Sequence, residues 1–226
     1  IAQCLVGSEM CIRDRLKIRK VLIKMLYENY EQVVANVKKA CERSGRNFQD
    51  ITIIAVSKTK PLSDVEELLS HGVMEFGENK VQEMVDKYEH VSKPVHWHLI
   101  GHLQTNKVKY IVDKACLIHS VDSVHLAKEI EKEAAKKGVV AKVLLEVNIA
   151  QEETKFGIRE DEVYALIDAI KDMPHVHVMG LMTIAPFVEN PEENRVYFRK
   201  MHQLSLDIKS KCIDNIDMSV LSMGMT

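Results

Sequence analysis

The sequence predicts an α/β fold built around a parallel β-sheet. Seven apolar, β-branched segments alternate with stretches in which apolar residues recur at helical spacing. No Asn-Gly or similar two-residue hairpin signal separates neighbouring segments. We expect a (β/α)8 TIM barrel rather than a doubly wound sheet, because polar residues follow nearly every strand and no Gly-x-Gly-x-x-Gly turn follows the first.

The seven predicted strands are distributed along the whole of the chain after residue 50. Helical spacing begins at Leu26, and the apolar segments after it lie at 51–56, 73–77, 95–100, 116–121, 141–148, 175–183 and 218–222. The first segment, Ile51–Val56, is apolar at every position but one, which is typical of a strand buried on both faces. The sequence ends in the turn after the seventh segment, so we expect the barrel to be truncated before strand eight.

The domain organisation follows from the same pattern. We expect one barrel domain at residues 25–226, incomplete at its C-terminus. Residues 1–24 fit none of the elements of the barrel. We interpret them as a non-native or disordered extension, with Met25 as the natural start.

Composition excludes several classes of protein. Charged residues make up 28% of the 226 residues and the formal net charge is -2, so no nucleic-acid partner is indicated. No apolar run approaches the length of a membrane span. The five cysteines are odd in number and form no Cys-x-x-Cys pair, which favours a reduced, cytoplasmic protein. We expect a monomer.

One lysine stands where α/β barrels carry their chemistry. Lys58 follows the first predicted strand directly, and Pro61 prevents that strand from continuing. Most charged residues at strand ends are simply solvated. The position alone therefore leaves two readings open, a solvated strand exit and a functional amine.

The segment Ser222–Thr226 follows the seventh predicted strand. Loops after strands seven and eight of such barrels commonly hold phosphate through backbone N–H groups and small hydroxyls. Ser222 supplies a donor and Gly224 permits close approach of the backbone. The same residues also suit an ordinary strand-to-helix turn.

Two pairs of histidines raise the alternative of a metal-dependent hydrolase. His96 and His98, like His175 and His177, share one face of a strand, which is metal-ligand spacing. However, His175 follows Pro174 at the amino-terminal end of its strand, and no aspartate ends a later strand as a further ligand. We therefore predict no metal site.

Further polar and sulfur-containing side chains lie at or near predicted strand ends. Each alone suits an ordinary polar or core position, but together they could line the mouth of one pocket. They are Asn79, His98, Asn148 and Met182.

Six motifs, in order along residues 26 to 226, resemble the pyridoxal 5'-phosphate homeostasis protein family. The motifs are Ala55-Val-Ser-Lys-Thr59, Phe76-Gly-Glu-Asn79 with Val81-Gln-Glu83, Trp97-His-Leu-Ile-Gly-His-Leu-Gln-Thr-Asn-Lys107, Val147-Asn148 with Lys155-Phe-Gly157, Gly180-Leu-Met182 and Ser222-Met-Gly-Met225. The resemblance implies a barrel of the alanine-racemase N-terminal type that binds pyridoxal 5'-phosphate (PLP) through a Schiff base to Lys58. It also implies a cytoplasmic carrier or buffer of PLP without defined catalytic turnover, so no residue is assigned a catalytic role.

The resemblance assigns the binding residues and leaves part of the site open. The expected cofactor-binding residues are Lys58, Asn79, His98, Asn148, Met182, Ser222, Gly224 and Met225. The family continues into an eighth strand with an Arg-x-Gly motif, which this sequence lacks, so the partner of the ring nitrogen is unassigned. A Schiff base also needs an amine that is neutral part of the time, and we therefore expect Lys58 to be partly buried.

The main alternative is a PLP-dependent racemase or decarboxylase on the same barrel. Such enzymes need a second acid–base group on the opposite face of the substrate. In alanine racemases, which the barrel resembles, a tyrosine from a further β domain supplies it, and this chain has no residues left for one. The partners expected for the carrier are apo PLP-enzymes and free amino acids.

Overall fold

The computed structural model describes residues 26–152 and 155–225, which form two compact units. The smaller unit contains the described residues up to Phe76 together with His90–Val95. The larger unit contains Gly77–Glu89 and the described residues from His96 onward. The extension at residues 1–24 lies outside the described residues, so its interpretation stays a prediction.

Strands and helices alternate along the chain as the sequence predicts. The strands are β1 (Ala55–Val56), β2 (Glu75–Glu78), β3 (His96–Leu99), β4 (Ala115–Val121), β5 (Ala141–Glu146), β6 (Val176–Ala185) and β7 (Ile216–Met225). The helices are α1 (26–44), α2 (Leu62–Ser70), α3 (Val81–His90), α4 (Val108–Ile111), α5 (Val124–Lys137), α6 (Val163–Ile170) and α7 (Arg195–Ser210). Among these described helices, none is both long enough and apolar enough to cross a bilayer.

The smaller unit corrects the prediction for the first strand. The ladder is limited to Ala55–Val56, Val56 is 50% exposed, and none of the residues from Ile51 to Val56 is fully buried. An apolar composition makes burial of a segment favourable, but burial on both faces also requires a packed layer against each face. The segment is therefore a short, half-covered strand.

The larger unit carries a parallel sheet in which β3 to β7 neighbour one another in chain order. The backbones of two strands approach closely at Gly180 in β6, where an added Cβ would overlap the carbonyl oxygen of Val220 in β7. Only glycine fits this contact. It allows β6 and β7 to remain paired as far as Ala185 and Met225.

This pairing corrects the prediction for the end of the chain. The seventh strand was expected to stop at Ser222, with Ser222–Met225 in a turn. Instead β7 continues to Met225, because β6 extends to Ala185 and offers a partner to each of these residues. Met182, for example, is the partner of Ser222, and Ile184 is the partner of Gly224.

An apolar layer lies beneath the carboxyl ends of the strands in the larger unit. Leu117 of β4, Leu144 of β5 and Met182 of β6 form a buried cluster, and Val220 of β7 packs against it. Side chains two positions apart on a strand share a face. The next residues along that face of each strand are His119, Glu146, Ile184 and Ser222, and two of them, His119 and Ser222, belong to the candidate site.

Candidate functional site

Three side chains from three strands form a continuous hydrogen-bonded network. The Nδ1 atom of His98 in β3 lies 2.9 Å from Nε2 of His119 in β4. The Nδ1 atom of His119 lies 2.9 Å from Oγ of Ser222 in β7. Since β4 and β7 are not neighbours in the sheet, the second contact joins distant strands through their side chains. We call these three residues the His98–His119–Ser222 network.

The electrostatics of this network keep its central imidazole neutral. His119 is 2% exposed, and burial together with the neighbouring His98 lowers the pKa of His119 to about 3. A neutral imidazole offers one N–H donor and one acceptor. His119 therefore donates a hydrogen bond to one of its two partners and accepts one from the other.

Sequence reasoning assigned His98 and Ser222 to the site but missed His119. His119 lies inside β4, with Ser120 and Val121 after it, whereas the predicted site residues lie at or near strand ends. The usable signal was alternation: Leu117, His119 and Val121 share one face of β4, and a histidine on a buried face needs polar partners.

Lys58 lies in the smaller unit, in a tight turn directly after β1. The N–H of Lys60 donates to the carbonyl oxygen of Ser57 at 3.0 Å, and Thr59 adopts a left-handed φ of 62°. Left-handed backbone is unusual for a β-branched residue. The side chain of Lys58 is exposed, which corrects the expectation of partial burial, because a turn of this kind projects its central residues away from the packed layers.

The predicted phosphate-binding segment is part of β7. Ser222 is partly buried and faces His119, whereas Gly224 is exposed, and a Cβ added at Gly224 would meet no atom within 4 Å. No described residue therefore crowds Gly224, and the close approach of a phosphate to its backbone stays a prediction. Met225 is the last residue of β7 and pairs with Ala185.

Asn79 occupies the junction between β2 and α3. The preceding residue, Glu78, is buried and accepts a hydrogen bond from Nζ of Lys87 in α3 at 2.6 Å. A Cβ added at Gly101 would lie 2.5 Å from the carbonyl oxygen of Asn79. The loop after β3 therefore packs directly on the Asn79 backbone, and only glycine fits at that contact.

Asn148 and Met182 have structural contacts in the larger unit. Nδ2 of Asn148 donates to the carbonyl oxygen of Glu152 at 2.8 Å, and its Oδ1 accepts from the N–H of Glu152 at 3.1 Å. The Asn148 side chain thus closes the loop after β5. Met182 is 4% exposed within the apolar cluster and is the strand partner of both Glu146 and Ser222. Whether any predicted residue contacts the cofactor stays a prediction.

A second polar feature lies at the carboxyl end of β5, and sequence reasoning missed it. Glu146 is 5% exposed, and its Oε2 atom is buried with no hydrogen-bond partner among the described residues. Burial and the negative charge of Asp122 raise the pKa of Glu146 to about 7. The available signal was a carboxyl group directly after the apolar residues Val143, Leu144 and Leu145 of the same strand.

The second histidine pair of the metal hypothesis has other partners. Nδ1 of His175 lies 2.7 Å from Oε1 of Glu131, while Nδ1 of His177 lies 3.1 Å from Oδ1 of Asn215. The two imidazoles are bonded to different elements, so they do not share a ligand position. Each is accounted for by its own packing contact.

Comparison with known proteins places the chain among alanine-racemase-like domains. The model of the alanine racemase N-terminal domain matches residues 29–226. A pyridoxal phosphate homeostasis protein of Aquifex aeolicus is 43% identical over 200 residues, which cover 88% of this chain and 87% of that protein.

Solved structures support the same fold. PipY of Synechococcus elongatus, solved with PLP bound, is 25% identical with a TM-score of 0.71, and the match covers 85% of this chain and 96% of PipY. Alanine racemase of Clostridium difficile is 15% identical with a TM-score of 0.64, and the match covers 77% of this chain but 46% of the enzyme. The predicted alanine-racemase type of barrel fold is confirmed by these neighbours.

Proposed function

Because the chain belongs to the alanine racemase N-terminal domain family and is related to pyridoxal phosphate homeostasis proteins, we propose that it binds PLP and acts in intracellular PLP homeostasis. In this proposal residues 25–226 are the PLP-binding domain of a cytoplasmic monomer. Lys58 forms a Schiff base with the cofactor, and the protein carries or buffers PLP without defined catalytic turnover. The close similarity to a named homeostasis protein over most of both chains is the observation that carries the proposal.

The residues present suit the chemistry of PLP. The cofactor supplies an aldehyde that reacts with a primary amine and a phosphate that needs hydrogen-bond donors. Lys58 offers an exposed amine, and Ser222 offers a hydroxyl whose orientation is held by His119. Both donor types are thus present among the residues that the family motifs select.

The His98–His119–Ser222 network gives Ser222 its role in the proposal. When Nδ1–H of neutral His119 donates to Oγ of Ser222, the hydroxyl proton of Ser222 is available to a phosphate oxygen. Nε2 of His119 then accepts from Nδ1–H of His98. This tautomer satisfies both bonds of 2.9 Å and turns Ser222 into a donor toward the anion.

Two observations favour a role as a carrier of PLP rather than as an enzyme. Lys58 is exposed, which allows loading and release. His119 has both ring nitrogens hydrogen-bonded and a pKa of about 3, so it is poorly suited to exchange protons with a substrate near neutral pH. Amino acids can reach an exposed aldehyde, and apo PLP-enzymes are the expected recipients of the cofactor.

The test mixes the PLP-loaded protein with an apo PLP-enzyme and, separately, with common amino acids in deuterated water. We expect transfer of activity to the apo-enzyme without entry of deuterium at Cα. Lys58→Ala should abolish the covalent loading, whereas Lys60→Ala, in the same turn and also exposed, should load normally. Lys58-dependent deuterium uptake at rates typical of enzymes, roughly 1–10³ per second, would show that the protein is an enzyme.

A further inference from the structure

The larger unit buries an ion pair next to Asn79, one of the predicted cofactor-binding residues. Nζ of Lys87 in α3 lies 2.6 Å from Oε1 of Glu78, the last residue of β2. Lys87 is 4% exposed and Glu78 is 0% exposed. Nζ of Lys87 also lies 2.9 Å from Oε1 of Glu83, one turn earlier in the same helix. The lysine charge is thus held by a carboxylate from β2 and a carboxylate from α3.

Stability alone does not account for this ion pair. Taking two charges out of water is costly, and apolar residues of similar volume often replace a buried ion pair without loss of stability. The other buried residues of α3, Val81 and Met84, are indeed apolar. Apolar burial has no preferred direction, whereas a hydrogen bond depends on angle as well as distance. The pair therefore fixes the end of β2 at one place against α3.

The backbone at the end of β2 is held at the same point. The N–H of Ile100, after β3, donates to the carbonyl oxygen of Glu78 at 2.9 Å. A Cβ added at Gly101 would lie 2.5 Å from the carbonyl oxygen of Asn79. The carbonyl oxygen of Gly101 in turn accepts from Oγ of Ser120 in β4, which is 0% exposed, at 2.7 Å. Asn79 thus lies between the buried ion pair and a loop that is itself bonded to β4.

We propose that Lys87 is a positioning residue for the cofactor site. By holding the carboxylate of Glu78, it fixes the backbone that carries the partly buried side chain of Asn79. This role rests on the proposed function, in which Asn79 binds PLP. It extends that function to a residue of α3 that lies outside the six family motifs.

The first experiment separates stability from PLP affinity. Lys87→Met takes a cation away from the buried carboxylate of Glu78, so the urea midpoint should fall. Glu78→Met/Lys87→Met removes both charges and keeps the volume, so its midpoint should return to near that of the unmodified chain. Both variants should bind PLP at least about 10-fold more weakly, which corresponds to about one hydrogen bond to the ligand. Normal stability together with normal PLP affinity in the double variant would overturn the positioning role.

The control removes a different ion pair of the larger unit. Nζ of Lys137 in α5 lies 2.7 Å from Oδ1 of Asp113, which follows α4. Asp113→Asn/Lys137→Met should bind PLP like the unmodified chain, because this pair is not attached to the end of β2. An equal loss of PLP affinity in the control would show that Lys87 has no specific role, and it would also overturn the proposal.

A double-mutant cycle tests whether the effect passes through Asn79. Asn79→Ala should weaken PLP binding at least about 10-fold in the unmodified chain. In the Glu78→Met/Lys87→Met background the same substitution should weaken it less than about 3-fold, because Asn79 is then no longer held in place. Equal effects of Asn79→Ala in the two backgrounds would exclude coupling between Lys87 and Asn79.

Amide hydrogen exchange gives a readout that does not need PLP. Glu78→Gln keeps the shape of the side chain and an oxygen acceptor for Lys87, so it should fold even if the methionine variants do not. In the PLP-free protein its exchange at Asn79 and Ile100 should be faster than in the unmodified chain, with α5 unchanged. Unchanged exchange at both residues would overturn the proposal. If the unmodified chain binds no PLP, the proposed function fails, whereas this exchange result still decides whether Lys87 fixes the backbone at Asn79.

Discussion

Strands β4 and β5 each bury a titratable side chain, but the hydrogen bonding of the two side chains differs. For both His119 and Glu146, burial and a neighbouring group of like charge disfavour the charged form, His98 in one case and Asp122 in the other. His119 has hydrogen bonds at both ring nitrogens, whereas Oε2 of Glu146 has none among the described residues. Burial of a titratable side chain is therefore matched by a complete set of hydrogen bonds in β4 but not in β5.

The two groups also make the stability of the protein depend on pH in opposite directions. Below pH 6.5 the unfolded chain binds a proton at His119 that the folded protein excludes, so this group lowers stability as the pH falls. Above pH 4.5 the unfolded chain loses a proton from Glu146 that the folded protein retains, so this group lowers stability as the pH rises through 7.

The largest effect is expected from His119. A pKa lowered from 6.5 to about 3 corresponds to about 5 kcal/mol across the whole window and about 3 kcal/mol by pH 4.5. His119→Gln keeps a donor and an acceptor but cannot titrate in this range. Urea denaturation at pH 7.5 and 4.5 should show that the unmodified protein loses about 3 kcal/mol more than the variant.

The control for this measurement is His202→Gln, an exposed position on α7. This variant should lose stability in acid as the unmodified protein does. If His119→Gln loses as much stability at pH 4.5 as the control, then His119 does not stay neutral in the folded state. The donor and acceptor roles assigned within the His98–His119–Ser222 network would then be wrong.

Glu146 should give the next largest effect. The rise of its pKa from 4.5 to about 7 corresponds to about 3 kcal/mol of stability lost by pH 8. Glu146→Gln removes this titration, so the variant should gain about 2–3 kcal/mol on the unmodified protein between pH 5 and pH 8. The measurement is urea denaturation of the unmodified protein and of Glu146→Gln at pH 5 and pH 8, with Glu89→Gln, at an exposed position on α3, as the control. A difference in stability that does not change with pH would contradict the raised pKa of Glu146.

Ser222 is expected to have a smaller effect, seen in ligand affinity. One charge-assisted hydrogen bond is worth about 1.5–3 kcal/mol, so Ser222→Ala should weaken PLP binding by about 10- to 100-fold. Unphosphorylated pyridoxal should bind more weakly than PLP, and the substitution should leave its affinity unchanged. Ser219→Ala, exposed on the same strand, should bind PLP normally; equal losses for PLP and pyridoxal would exclude a phosphate contact.

The residues that the sequence predicted are recognised from their neighbours in the chain, whereas those that it missed are recognised only from contacts in the folded structure. Lys58 was found from neighbours in the chain, an apolar segment before it and Pro61 after it. His119 is recognised through a partner far along the chain, since Ser222 lies 103 positions after it. Glu146 is recognised because its Oε2 atom has no hydrogen-bond partner among the described residues. No local pattern encodes such a contact, although alternation within a strand marks the inward face.

The same reasoning explains the errors at the first and last strands. The apolar composition of Ile51–Val56 predicts burial, but burial also depends on layers packed against the segment, and Val56 is 50% exposed. The end of β7 was read as a turn because Gly224 permits one. Its pairing with Ile184 of β6 is a property of the register between two strands, which Gly224 itself does not reveal.

The most direct test of the proposed function is to identify the lysine that binds PLP covalently. The protein is incubated with PLP, reduced with borohydride and mapped by peptide mass spectrometry. We predict a pyridoxyl adduct on Lys58, its loss in Lys58→Ala and its retention in Lys60→Ala. An adduct confined to other lysines, with Lys58 unmodified, would contradict the Schiff base at Lys58 on which the account depends.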